Sequence, residues 1–232
     1  MPTEKEVYQK HADQYERLIR REDHEGNILK EIKKRITLTG LHVADLGAGT
    51  GRVSSLLAPH VKYIHAFDSS AHMLAQASRS LDKLGLHNWH TGVADHRQIP
   101  LEDASVDLVV SGWSFCYLAV WGGDGWQTAL EDGLAEMERI LKPGGMVILL
   151  ETQGTAVVEP APPPHLAGYF AWLAESGFQS DMFRTDYRFA SLTEAGELSR
   201  FFFGEEMGKK VIQNKWQVLP EFTGIFWKNK VY

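Results

Sequence analysis

Residues 43–52 read Val-Ala-Asp-Leu-Gly-Ala-Gly-Thr-Gly-Arg, with glycine at every second position from 47 to 51. Apolar residues followed by this spacing predict a strand that runs into a tight turn and opens a helix. Glycine permits the turn and lets backbone approach a ligand closely, and the helix start offers unpaired N–H groups. The spacing is GxGxG. A dinucleotide fingerprint asks for GxGxxG, whose third glycine falls on Arg52, and the phosphate-cradling GxxxxGK[ST] loop is absent. The turn therefore suits a nucleoside-like ligand without a pyrophosphate.

The rest of the chain supplies the frame for that turn. His42–Asp45, Tyr63–Asp68, Trp89–Val93, Val106–Ser111 and Met146–Glu151 are short apolar runs of strand type. Between them lie amphipathic helical stretches. One runs from about Gly125 to Leu141, with Trp126, Leu130, Leu134, Met137 and Leu141 on one stripe, and Lys142-Pro143-Gly144-Gly145 stops it. A second runs from Ser70 to about Leu84, ended by Gly85. Strands alternating with helices predict a doubly wound α/β domain, a mostly parallel sheet with helices on both faces. Residues 1–36 read as two helices broken near Arg20–Gly26. In the last third, Phe183–Phe189 and Thr223–Lys228 read as strands around a helix from about Leu192 to Asn214. Pro160-Ala161-Pro162-Pro163-Pro164 is an extended connector. The expected organisation is one domain over 1–232: a helical cap at 1–39, a core at 40–158, and a tail at 159–232 that completes the sheet and supplies a lid helix.

Composition narrows the function classes. The chain has 232 residues, 44% hydrophobic and 23% charged, with net charge −6. That length suits one domain with a real core, and the net acidity disfavours a phosphate-gripping nucleic-acid binder. Residues 40–158 carry 7 basic and 13 acidic side chains, so the excess acid lies in the middle. No apolar run nears the roughly 18–20 residues of a membrane span. The polar start lacks the apolar core of a signal peptide. The single cysteine, Cys116, leaves no intramolecular disulfide and reads as an inert buried thiol. The expectation is a cytoplasmic chain with no metal, membrane or nucleic-acid partner.

Three acids fall at strand ends: Asp45, Asp68 and Asp95. All three lie along the carboxyl edge of the sheet, where such folds bind ligands. Asp68 stands seventeen residues after Gly51, placed to accept hydrogen bonds from both hydroxyls of a ribose. Each charge-assisted bond contributes about 1.5–3 kcal/mol. Asp95 is placed to accept from an exocyclic adenine amine. Asp68 also fits a helix N-cap ahead of Ser70, and Asp95 a turn residue.

With these residues in hand, the sequence resembles the class I S-adenosylmethionine-dependent methyltransferases of small-molecule type. The resemblance rests on VADLGAGTGRVS, HAFDSSAHML, VADHRQIP, VDLVVSGWSF and LKPGGMVILLE, five motifs in order over roughly residues 41–151. It implies a seven-stranded sheet with an antiparallel C-terminal strand and S-adenosylmethionine as cofactor. It further implies that Gly47 and Gly49 line the methionine moiety, Asp68 holds the ribose and Asp95 the adenine amine. Met73 would pack on the adenine ring, Ser111 would offer its carbonyl near the amino group, and Tyr15 would cap the cofactor. Asp45, Ala48, Ser69 and Ala94 complete the implied cofactor set. Met73 lies on a helical stripe that also suits the core.

The acceptor side follows the fourth strand, where Gly112-Trp113-Ser114-Phe115-Cys116-Tyr117 is followed by Trp121 and Trp126. These aromatics suggest a small apolar or planar acceptor, although Trp126, Phe115 and Tyr117 also suit the core. Ser111-Gly112-Trp113-Ser114 departs from the Asn/Asp-Pro-Pro-aromatic motif of enzymes that act on nucleobase amines. No catalytic residue stands out. His96, His165 and His90 are the candidate bases, although lone histidines near loops are more often plain surface residues. Phe201-Phe202-Phe203-Gly204 needs something to pack on: the core, an acceptor or a partner.

Overall fold

Residues 6–7 and 10–230 are described by the computed structural model. The five apolar runs form parallel strands, because crossovers return the chain to the same end of the sheet, three of them through helices and the one over residues 94–105 without. They are β1 (His42–Leu46), β2 (Tyr63–Asp68), β3 (Trp89–Val93), β4 (Val106–Gly112) and β5 (Leu141–Thr155). With β6 (Gln179–Arg184) and β9 (Glu221–Asn229) they make a seven-stranded sheet of order β3-β2-β1-β4-β5-β9-β6, in which β9 runs antiparallel to both neighbours. Strand order reverses between β2-β1 and β4, so a crevice opens beyond the carboxyl end of β1.

The α-helices before β6 are α1 (Ala12–Ile19), α2 (Asn27–Arg35), α3 (Arg52–Leu57), α4 (Ala71–Asp82), α5 (Tyr117–Trp121), α6 (Trp126–Ile140) and α7 (Ala167–Glu175). They bury both sheet faces, and the period-two alternation of the strands decides which side chain goes where. Val43, Ile64, Leu108, Val110, Ile148 and Leu150 pack on Ile28, Ile32, Val53, Leu57 and Leu81. Ala44, Leu46, Val109, Val147 and Leu149 pack on Leu130, Leu134, Met137, Tyr169, Trp172 and Leu173. A third cluster ties Leu18 of α1 to Tyr187, Phe189, Leu198, Val211 and Leu219 of the tail. The α1–α2 break falls where glycine and an acid can make it. Gly26 takes φ +67°, and Asp23 accepts from the backbone N–H of Asn27 (2.7 Å) and Ile28 (3.0 Å).

Three local expectations need correction. The strand expected over Phe183–Phe189 instead begins at Gln179 and ends at Arg184. Tyr187–Arg188 (β7) joins Val218–Leu219 (β8) in a separate two-stranded sheet. The Arg184 guanidinium donates to both oxygens of Asp186, at 2.7 Å each, which accompanies a local turn that the alternation of types cannot reveal. The single helix expected over Leu192–Asn214 is two, α8 (Leu192–Phe203) and α9 (Glu205–Gln213), parted at Gly204 with φ +98°. Lys142–Gly145 does end α6, yet it belongs to β5. Val106 faces Leu141 while Leu108 faces Met146, so these residues bulge out of the ladder, with Gly144 at φ +78°.

Candidate functional site

A cavity of about 510 Å³ occupies the crevice at the carboxyl ends of β1, β2 and β4. Its floor is the glycine turn. Gly47, Gly49 and Gly51 take φ of +71°, +56° and +85°, the left-handed region that favours glycine. At Gly47 space is decisive as well, since an added Cβ would lie 1.8 Å from Ser114 Oγ and 3.1 Å from His96 Nε2. His96 Nε2 and Ser114 Oγ stand 3.0 Å apart, so the turn, the β3 exit and the β4 exit meet at this point.

Asp68, at the end of β2, accepts from the backbone N–H of Gly49 (2.9 Å) and of Ser70 (2.8 Å). Ser70 itself is the N-cap of α4, accepting from the Met73 N–H at 3.3 Å, so Asp68 is free of the capping role that its position also allowed. Burial pushes the Asp68 carboxyl up, and the two amides pull it back. Asp45 lies deeper. Ser54 Oγ donates to its Oδ2 at 2.5 Å, its Oδ1 is buried without a partner, and burial pushes its pKa up to about 7. Asp95 is half-exposed and gripped by the Arg97 fork at 2.7 and 2.9 Å, which holds its carboxyl below the usual range.

Tyr15, Asp45, Gly47, Ala48, Gly49, Asp68, Ser69, Met73, Ala94 and Asp95 all line this cavity. Ser111 does not: it is fully buried in β4, its hydroxyl is without a partner, and Gly112 takes the lining position beside it. Met73 is both core and wall, 2% exposed with its Cε 3.6 Å from where a Gly49 Cβ would stand. Among the histidines, His96 lines the cavity, and burial drives its pKa down to about 4, so it is neutral near pH 7. His90 is exposed on β3 and lines neither cavity, and His165 lines a second one.

That second cavity, of about 470 Å³, shares Tyr15, Ile19, Arg52, Trp113 and Tyr117 with the first. Trp113 adopts φ +51°, uncommon for a bulky residue and a mark of backbone held by its surroundings. Arg52 stacks on it, its guanidinium carbon 3.9 Å from the ring centroid, and Nη1 donates to Glu22 Oε2 at 2.8 Å. Arg52 Nη2 is buried without a partner. Phe202 and Phe203 of the tail line this cavity, Phe202 against Tyr15 at 5.5 Å between ring centroids. Phe115 is fully buried core, and Trp126 packs against that core. Cys116 is buried, and its backbone N–H donates to Glu151 Oε1 at 3.2 Å.

In the sequence Arg52 stands out only as the residue that spoils a dinucleotide motif, and Glu22 and Glu221 do not stand out at all. Glu151 carries a signal of its own, an acid ending the apolar run Met146–Leu150. Among the described residues no group of three or more His, Cys, Asp or Glu side chains is disposed to hold a metal ion, and no helix is long and apolar enough to cross a membrane.

Residues 44–149 match the family model described as a methyltransferase domain. The chain is 39% identical over 108 residues to a malonyl-[acyl-carrier protein] O-methyltransferase of Marinomonas, covering 46% of this chain and 36% of that one. It is 35% identical over 113 residues to a ubiquinone/menaquinone biosynthesis C-methyltransferase of Rubrivivax gelatinosus, covering 48% and 39%. The match thus spans well under half the length of these curated relatives. Among solved structures, the YcgJ protein of Bacillus subtilis superposes with a TM-score of 0.63 at 14% identity, over 90% of this chain and all of that one. A SAM-dependent methyltransferase of Aquifex aeolicus gives 0.56 at 19% identity, over 88% and 93%.

Proposed function

We propose, from the premise that residues 44–149 belong to the class I, S-adenosylmethionine-dependent methyltransferase domain family, that the chain transfers a methyl group to a small acceptor with an apolar or aromatic body. The residues of the first cavity suit the cofactor. Asp68 receives the ribose hydroxyls, Met73 and Ala94 flank the adenine, and Asp95 stands at its amine edge. Gly47, Ala48 and Gly49 present backbone to the methionine moiety, with Asp45 and Ser69 beside them and Tyr15 as the cover. The buried, unpartnered Nη2 of Arg52 supplies the cation that a methionine carboxylate requires.

When bound, the cofactor supplies an electrophilic methyl group on a sulfonium. The task left to the protein is placement. Holding acceptor and donor in line at about 3–3.5 Å supplies roughly 7–11 kcal/mol through orientation alone. Tyr15, Ile19, Arg52, Trp113 and Tyr117 form the wall common to both cavities. His96, neutral near pH 7, holds Ser114 over the glycine turn and acts as a positioning residue.

The observation that carries this reading is Asp68, a carboxylate at a strand end whose orientation two backbone amides fix on the cavity wall. Asp68→Ala is expected to weaken S-adenosylhomocysteine binding at least tenfold by titration calorimetry, with an unchanged circular dichroism spectrum. An unaltered dissociation constant in a folded variant removes the ribose role.

A further inference from the structure

The second cavity is lined by three glutamates that the cofactor site does not use: Glu22, Glu151 and Glu221. All three are nearly sealed from solvent, at 8%, 1% and 2% exposure. They come from distant parts of the chain: the α1–α2 break, the end of β5 and the start of β9. Their oxygens are incompletely used. Glu22 Oε1 and Glu221 Oε2 are buried without a close hydrogen-bond partner, with the Tyr187 side chain beside Glu22 and Thr155 beside Glu221. Glu221 Oε1 accepts from Thr152 Oγ1 at 2.8 Å, and Glu151 Oε1 accepts from the Tyr169 hydroxyl at 2.9 Å.

Arg52 is the sole Lys or Arg among the described residues that line this cavity, and Nη1 is already committed to Glu22. Glu22 and Glu221 share this one guanidinium, so ionising both buries a negative charge that the site does not pair, at a cost of several kcal/mol. The carboxyls register that cost. Burial pushes Glu151 up to about 7, and burial followed by repulsion from Glu22 pushes Glu221 well above the usual range. Around the acids stand rings: Tyr15, Trp113, Tyr117, Tyr187, Phe202 and Phe203. Unpaired carboxylate oxygens in an aromatic box suit a cation, through charge-assisted hydrogen bonds and through the ring faces.

We propose that the second cavity is the acceptor site, and that it takes a protonated amine on a small aromatic or aliphatic body, received by Glu22, Glu151 and Glu221. This rests on the methyltransferase reading above, and it replaces an unspecified acceptor by a nitrogen compound. The apolar body lies against the rings, and the nitrogen lies toward the acidic part of the lining, beside the wall shared with the first cavity. A carboxylate ligand would meet a lining of acids, and a neutral alcohol brings no positive charge to stabilise their ionised forms.

The test is calorimetric, on the full chain saturated with S-adenosylhomocysteine near pH 7.5. Two probe series are titrated: 2-phenylethylamine, 2-phenylethanol and 3-phenylpropionate, and hexylamine, hexanol and hexanoate. The expected result is that at least one amine binds tenfold or more tightly than its alcohol and carboxylate counterparts. Glu151→Gln and Glu221→Gln should each weaken that amine at least fivefold and leave alcohol binding within twofold, which a merely structural role would not do. Equal binding across a series, preference for the carboxylate, or no binding by either amine overturns the proposal. The preceding titration with S-adenosylhomocysteine separates the two readings. Its success with no amine preference removes the amine alone, and its failure removes the methyltransferase reading beneath it.

Discussion

Gly47→Ala is expected to weaken S-adenosylhomocysteine binding at least about a hundredfold, equivalent to roughly 2.7 kcal/mol. Two costs combine. A residue with a Cβ at φ +71° loses about 1–2 kcal/mol in the left-handed region. The new methyl would stand 1.8 Å from Ser114 Oγ and 2.4 Å from Ser114 Cβ, so Ser114 must move. It cannot move alone, because His96 holds its hydroxyl and Trp113 before it is already in a strained conformation. The displacement therefore propagates into the cavity floor. Gly40→Ala is the control. Gly40 has φ +83° with nothing within 4 Å of an added Cβ, so it incurs the backbone cost without the clash. Calorimetry should find the Gly40 variant binding normally. A Gly47 variant that binds within threefold of the parent would show that the turn does not touch the ligand.

Glu151→Gln is expected to stabilise the protein at pH 8 by about 3 kcal/mol. Glu151 has a folded pKa of about 7 against an ordinary value of 4.5, with burial as the leading cause. The folded state therefore holds a proton that the unfolded state releases between those values. Its contribution is complete below pH 4.5, falls as pH rises toward 7, and is absent above that. A difference of about 2.5 units at about 1.36 kcal/mol each gives the figure. Glutamine keeps an acceptor for the Tyr169 hydroxyl and the Cys116 N–H, and it has no charge to bury. Denaturant melts at pH 5 and pH 8 decide the matter. The variant should equal the parent near pH 5 and exceed it at pH 8. Asp45 and Glu221, whose carboxyls burial also pushes up, retain their own pH dependence in both proteins. Equal stability at pH 8 would mean that Glu151 ionises without penalty and that the second cavity is wetter than its burial implies. A gain in stability on removing the acid is what a group retained for binding predicts.

The parts of the molecule legible in the sequence are those set by neighbours in the chain. Glycines 47, 49 and 51 announce the turn because only local backbone geometry is at stake. The alternating apolar strands announce both sheet faces. Ser70 and the stripe from Met73 to Leu84 announce α4, which stops at Asp82 and leaves Leu84 exposed. Asp68 and Asp95 are identifiable because a strand end in this topology has one place to be. What stays hidden depends on contacts between distant residues. The Glu22–Arg52 pair joins positions 30 residues apart, and the hydrogen bond of Glu221 to Thr152 joins positions 69 apart. No local pattern distinguishes Glu22 from its exposed neighbour Glu25. The break at Gly204 and the bend after Arg184 escape notice for a related reason. Side-chain periodicity continues across a kink, while the backbone turns at Gly204 and between Arg184 and Asp186. Ser111 faces the buried side of β4, and Gly112 lines the cavity instead.

The central claim is that the rim of the sheet around Gly47 and Asp68 accommodates adenosine joined to a methionine-like chain, with no pyrophosphate. Titration of the purified chain with S-adenosylhomocysteine, run beside the same titration with NADH, tests it most directly. A saturable one-to-one isotherm in the micromolar range for the first ligand, with no heat from the second, is the predicted result. Binding of NADH with none of S-adenosylhomocysteine, or of neither at high micromolar concentration, would contradict it.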